Sequence, residues 1–154
     1  MSMTLHIQNM TDSKRLPDEK QFRQWAEQAL TPEHGNAEIT LRIVDEQEGQ
    51  ALNNTWRNRD NATNVLSFPV GEPIAQAPEL LGDIVICAPV VEREASEQGK
   101  ASEAHWAHLT VHGVLHLQGF DHESDDDAEI METMEIQILN NMGYPNPYED
   151  RTSR

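Results

Sequence analysis

SEAHWAHLTVHGVLHLQGFDH, residues 102–122, decides how the chain is built. At ~3.6 residues per turn, His105, His108, His112 and His116 fall in one stripe roughly 80° wide. Trp106, Ala107, Leu109, Val111, Val114, Leu115 and Leu117 take the other faces. A helix that is apolar on most sides is buried, so residues 102–119 predict a rigid core helix carrying a line of imidazoles. Gly119 tolerates the left-handed backbone that ends a helix.

Outward from this helix, the remaining segments supply what it packs against. AEITLRIVDE (37–46) alternates, with Ile39, Leu41 and Ile43 on one side and Glu38, Thr40 and Arg42 on the other, which reads as a half-buried strand. LHIQNM (5–10), VLSFPV (65–70) and LGDIVICAP (81–89) read as further strands. Helices are expected over 16–30, where Phe22, Trp25, Ala26, Ala29 and Leu30 keep helical spacing, and over 46–56, 90–100 and 124–143. Ser124 suits the N-cap of the last, the aspartates after it suit its first turn, and Gly143 suits its end. Met131, Met134 and Met142 on that helix read as core. RNRDNATN (57–64) and GEPIAQAPE (71–79) read as loops, and a polar, frayed tail is expected from Tyr144 onward, about 145–154. Strands come early and the major helices late. That pattern predicts a single α+β domain over 1–154, with a small mixed four-stranded sheet covered by helices.

Composition narrows the setting. One cysteine, Cys87, sits in the apolar run DIVICAPV, so there is no disulfide framework and a buried thiol is expected. The first residues lack a basic stretch leading into an apolar one, and no run approaches the ~20 apolar residues that span a bilayer. A cytoplasmic protein without a membrane segment is the expectation. The formal net charge is −16. Taken alone this disfavours nucleic acid, since phosphate binding rests on Lys and Arg, although a local basic patch can bind phosphate on an acidic protein.

His112, His116 and His122 follow the pattern H-x3-H-x2-G-x2-H. Two imidazoles four residues apart on a helix can reach one ion, and zinc takes imidazole nitrogen at ~2.0–2.1 Å. His122 can complete the set once the chain turns at Gly119. Three protein ligands leave a fourth position for water, as in catalytic zinc sites, and the ion lowers the pKa of that water to ~7. Imidazole also suits nickel, copper and iron. His105 and His108 are either groups that support the site or packed histidines with a hydrogen bond.

Zinc peptidases of the H-E-x-x-H type place a general base directly after the first histidine. Here that residue is Gly113, which weakens peptide hydrolysis unless Asp121 or His108 serves instead. Phosphodiester chemistry depends more on positioning and charge stabilisation. Arg57 and Arg59 lie in an otherwise acidic chain, and a guanidinium offers a rigid fork of donors to phosphate oxygens. The rival readings are a peptidase with a displaced base and a noncatalytic factor in which the metal is a folding clamp.

TWRNRDNATNVLSFP (55–69), LGDIVIC (81–87) and EAHWAHLTVHGVLHLQGFDH (103–122) together resemble the YbeY family, bacterial endoribonucleases of ribosomal RNA maturation. The resemblance implies a fold similar to the zinc peptidases and a zinc-like ion on His112, His116 and His122. It also implies cleavage of single-stranded RNA in 16S rRNA 3′-end processing and ribosome quality control. The family's functional arginine falls on Arg57 and its key histidine on His112. Ser67, Asp83 and Asp121 fall on matching positions, and Phe120 replaces the usual tyrosine. RNA would then meet a patch made by the ion, Arg57, Arg59 and Lys100, and a basic partner such as a ribosomal protein would suit the acidic remainder.

Overall fold

The structure is a computed structural model and describes residues 3–12, 16–57, 64–70, 79–120 and 124–148. Strand alternation builds its sheet. β1 (Thr4–Asn9), β2 (Glu38–Val44), β3 (Val65–Pro69) and β4 (Leu80–Cys87) lie in the order β1-β2-β4-β3. β1, β2 and β4 run parallel, and β3 pairs antiparallel on the edge. The mixed four-stranded sheet matches the sequence expectation. Leu5, Ile39, Leu41, Ile43, Ile84 and Ile86 share the face that enters the main core. Leu66, Val85 and Cys87 face the other way and form a smaller cluster with Val44, Val90 and Leu52. Cys87 is buried, and burial pushes its thiol pKa up.

Among the described residues five α-helices accompany the sheet: α1 (Glu19–Ala29), α2 (Glu46–Arg57), α3 (Ala88–Glu97), α4 (Ser102–Leu117) and α5 (Asp125–Asn141). α1 starts at Glu19 because Asp18 and Gln21 form a capping box, each side chain taking the other's backbone N–H at 2.8 and 3.0 Å. α5 begins as its sequence suggests, with Ser124 Oγ accepting from Asp127 N. α2 runs one residue further than expected. Arg57 belongs to this helix, as its last described residue, rather than to a loop, since arginine is a good helix former.

α4 is the hub. It contacts α1, α3, α5, β3 and β4, and Trp106, Val111, Val114 and Leu115 on it are fully buried. Gly119 has φ +102°, and Phe120 N reaches back to Leu115 O at 3.2 Å, so α4 ends in the left-handed cap the glycine predicts. Carboxylates on α3 tie the start of α4: Glu92 accepts from Trp106 Nε1 and Glu94 pairs with His105 Nε2, both at 2.9 Å.

Gly113 brings α4 close against Ile84 of β4. A Cβ there would lie 3.0 Å from Ile84 Cγ2 and 3.1 Å from Cδ1. The missing glutamate of the peptidase motif therefore has a packing cause as well as a chemical consequence. Gly113→Glu recreates H-E-x-x-H but drives a carboxylate into β4. We expect it to destabilise the chain by about 1–3 kcal/mol or more in chemical denaturation, with no peptidase activity gained.

The segment after α5 departs from the frayed tail expected from Tyr144. Tyr144 donates its hydroxyl to Glu103 at 2.7 Å and accepts from Trp25 Nε1 at 3.2 Å. Lys100 Nζ donates to Pro147 O at 2.9 Å. Residues 144–148 are thus laced back onto α1, α4 and the turn before α4. Residues 149–154 lie outside the described residues.

Candidate metal centre

The stripe of imidazoles predicted for α4 is present. Ring centroids are 6.3 Å apart for His105 and His108, 6.2 Å for His108 and His112, and 5.4 Å for His112 and His116. The first member is structural: His105 is buried against Glu94, and burial holds its pKa below the usual value despite that carboxylate. The next two, His108 and His112, converge on a feature the sequence reading missed.

That feature is Glu135, in the middle of α5 and fully buried. Its Oε1 pairs with His108 Nε2 at 2.7 Å and its Oε2 with His112 Nδ1 at 2.9 Å. The Tyr148 hydroxyl also donates to Oε1. A buried carboxylate is costly unless its lone pairs are satisfied, and here three donors satisfy them. Burial by itself would raise the carboxyl pKa, but the hydrogen bonds from His108 and His112 outweigh it and hold it at about 2. Burial and the adjacent Glu135 carboxylate push the Tyr148 hydroxyl the other way, so it stays protonated and donates.

A signal for Glu135 was present. Met131, Glu135 and Leu139 repeat every four residues and all are buried, so a glutamate interrupts an apolar stripe. A charge at a core position calls for partners, and the row of histidines on α4 supplies two of them.

Two donor sets share His112. One ligand atom from each of His108, His112 and Glu135 lies within 4.8 Å of the others among the described residues, and such a group could hold an ion. In this structure Glu135 is already hydrogen-bonded to both histidines, so an ion there would displace hydrogen bonds already made. The second set begins with His112 and His116, one turn apart and closest of the stripe. Glu135 engages Nδ1 of His112, which makes Nε2 the nitrogen that ring offers to an ion. A carboxylate behind an imidazole is the usual support of a metal-binding histidine, fixing its tautomer and raising its basicity. The residues present therefore fit a transition-metal ion. His122, the third predicted ligand, lies outside the described residues, as do Arg59 and Asp121. The side chain of Arg57 is likewise outside the described part of the structure.

The other positions fall variously. Ser67 pairs across the sheet with Ile84, on the face that packs against α4, whereas Asp83 pairs with Phe68 on the opposite face. Asp83 is therefore directed away from the histidines. Phe120 packs against the main core. Lys100, expected in an RNA patch, spends a donor on the tail. The acidic run 125–127 forms the first turn of α5, as expected for a charged helix start.

Comparison with known proteins extends these observations. The family model described as Endoribonuclease YbeY matches residues 6–143. A Pseudomonas entomophila protein named Endoribonuclease YbeY is 55% identical over 150 residues, 96% of this chain and 94% of its own. A Methylococcus capsulatus protein of the same name is 58% identical over 135 residues, covering 88% of this chain and 89% of its own. In structure, the chain resembles the solution structure of TM1509 from Thermotoga maritima, with a TM-score of 0.61 and 25% identity over 98% of this chain and 100% of that one.

Proposed function

The chain belongs to the endoribonuclease YbeY family, and on that premise we propose that it is a metal-dependent endoribonuclease cutting single-stranded RNA. Its place would be the cytoplasm, in 16S rRNA 3′-end maturation and ribosome quality control. No helix among the described residues is long and apolar enough to cross a membrane. The observation that carries the reading is His112, braced at Nδ1 by buried Glu135 with His116 one turn away.

His112, His116 and His122 would hold one divalent ion. Zinc is the first choice for three imidazoles, and nickel or another transition metal is acceptable to the same donors. When bound, the ion supplies Lewis-acid charge and a water or hydroxyl of lowered pKa. The protein's own groups do the rest. Glu135 keeps His112 in the tautomer that offers Nε2. Arg57 contributes a guanidinium to the scissile phosphate and neutralises charge that builds there in the transition state. With a formal net charge of −16, the chain attracts basic partners, which ribosomal proteins would supply. Gly113, pressed against Ile84, speaks against the peptidase alternative.

The test pairs metal analysis with an RNA cleavage assay. Arg57→Glu is expected to keep its metal and its melting temperature while cleavage falls by about 100- to 1000-fold, the usual cost of removing one transition-state donor. Cleavage that survives this change undiminished would remove Arg57 from the mechanism. A 2′,3′-cyclic phosphate on the fragments would identify the RNA 2′-hydroxyl, rather than water, as the nucleophile.

A further inference from the structure

Tyr148 is 44% exposed as a residue, so packing explains little of its placement. What it buries is its hydroxyl. That group donates to Glu135 Oε1 and lies 3.3 Å from His108 Nε2, while the ring meets His108 edge-on at 5.2 Å. The chain is brought there by the lacing of residues 144–147. Tyr144 is held by Glu103 and Trp25, Pro147 O by Lys100, and Tyr148 N by Asn146 Oδ1 at 2.8 Å.

The consequence lies on the far side of the carboxylate. Tyr148 and His108 both occupy Oε1, which leaves Oε2 directed at His112 Nδ1. We propose that Tyr148 is a positioning residue for the metal ligand His112: by fixing the Glu135 carboxylate it fixes the imidazole tautomer that presents Nε2 to an ion. The inference rests on the reading of His112 as a ligand given above. Without the hydroxyl, the carboxylate loses its third donor and can turn about its terminal bond. The Nδ1–H bond of His112 then weakens, and the ring spends part of its time with the proton on Nε2, where it cannot ligate. Linkage makes the effect mutual. An ion that binds the Nδ1–H form of His112 also favours the docked state of residues 144–148.

The experiment uses the full chain with Tyr148→Phe, which removes one oxygen from a half-exposed residue. Zinc affinity is measured in competition with a chromophoric chelator, and the His112 tautomer of the metal-free protein is read from long-range proton–nitrogen NMR. Support partners of metal-bound histidines are worth about 10- to 100-fold in affinity. Tyr148 acts one bond further out, so a loss of about three- to tenfold is expected, together with a shift of His112 away from pure Nδ1–H. A merely structural tyrosine would move the melting temperature and leave the tautomer alone. Unchanged zinc affinity with an unchanged tautomer overturns this inference and leaves the proposed function standing. A wild-type chain that takes up no zinc overturns both.

Discussion

Alanine in place of His112 is expected to lower zinc affinity by about a thousandfold and to abolish RNA cleavage, while the chain stays folded. A protein-bound zinc ion is worth ~10–16 kcal/mol, which shared over four coordination positions is roughly 2.5–4 kcal/mol each, or about two to three orders of magnitude per ligand. The fold should tolerate the change, because His112 lies outside the main apolar cluster and Glu135 keeps the donors of His108 and Tyr148. One lost hydrogen bond to a charged group costs about 1.5–3 kcal/mol against a typical stability of ~5–15 kcal/mol. If the ion were a folding clamp, the same variant, or a chelator on the intact chain, would melt the protein, which circular dichroism detects. Two companion variants separate the donor sets. His116→Ala should match His112→Ala in zinc affinity, and His108→Ala should lose much less. The reverse order would place the ion among His108, His112 and Glu135 instead.

The contrast between His112 and Glu135 shows how much of the site could be read in advance. The stripe on α4 was legible because helical geometry converts sequence spacing directly into angle, and because Gly119 marks where the helix must end. The strands were legible for the same reason, since Ile39, Leu41 and Ile43 declare a buried face without reference to anything distant. Glu135 was not, because its meaning depends on contact between α4 and α5, 23 residues away from His112. In sequence it is one acidic residue in an acidic helix, and only its position between Met131 and Leu139 betrays it. Tyr148 was harder still. Polar, proline-containing chain after a helix ordinarily frays, and composition carries no sign that its hydroxyl reaches a buried carboxylate. Arg57 shows the opposite limit: helix propensity carried α2 one residue past the expected boundary, as such boundaries commonly shift.

Glu135→Gln makes the buried carboxylate measurable through pH. The amide keeps the shape but offers one acceptor oxygen where the carboxylate offers two, so one of the three donors is left facing an NH2 group. An unsatisfied buried donor costs about 1–3 kcal/mol, and zinc affinity should fall about 10- to 100-fold with it. The acid dependence in the metal-free protein has a definite sign. The Glu135 pKa is lowered in the fold to about 2 from an ordinary 4.5. The unfolded chain therefore binds the proton first as pH falls, and protonation favours unfolding. The contribution of the carboxylate is fully present above about pH 4.5 and fades as pH drops towards 2. A shift of this size corresponds to about 3 kcal/mol at ~1.4 kcal/mol per pH unit. The glutamine side chain cannot titrate, so the stability gap between the two proteins should be widest above pH 4.5 and should narrow steadily on acidification. Denaturant unfolding at several pH values between 6 and 3 measures it. A gap that stays constant across that range would mean that the carboxyl binds its proton equally in the folded and unfolded chain, and a gap that widens on acidification would mean that Glu135 is already neutral in the fold; either result would show that His112 is held by something weaker than a buried carboxylate.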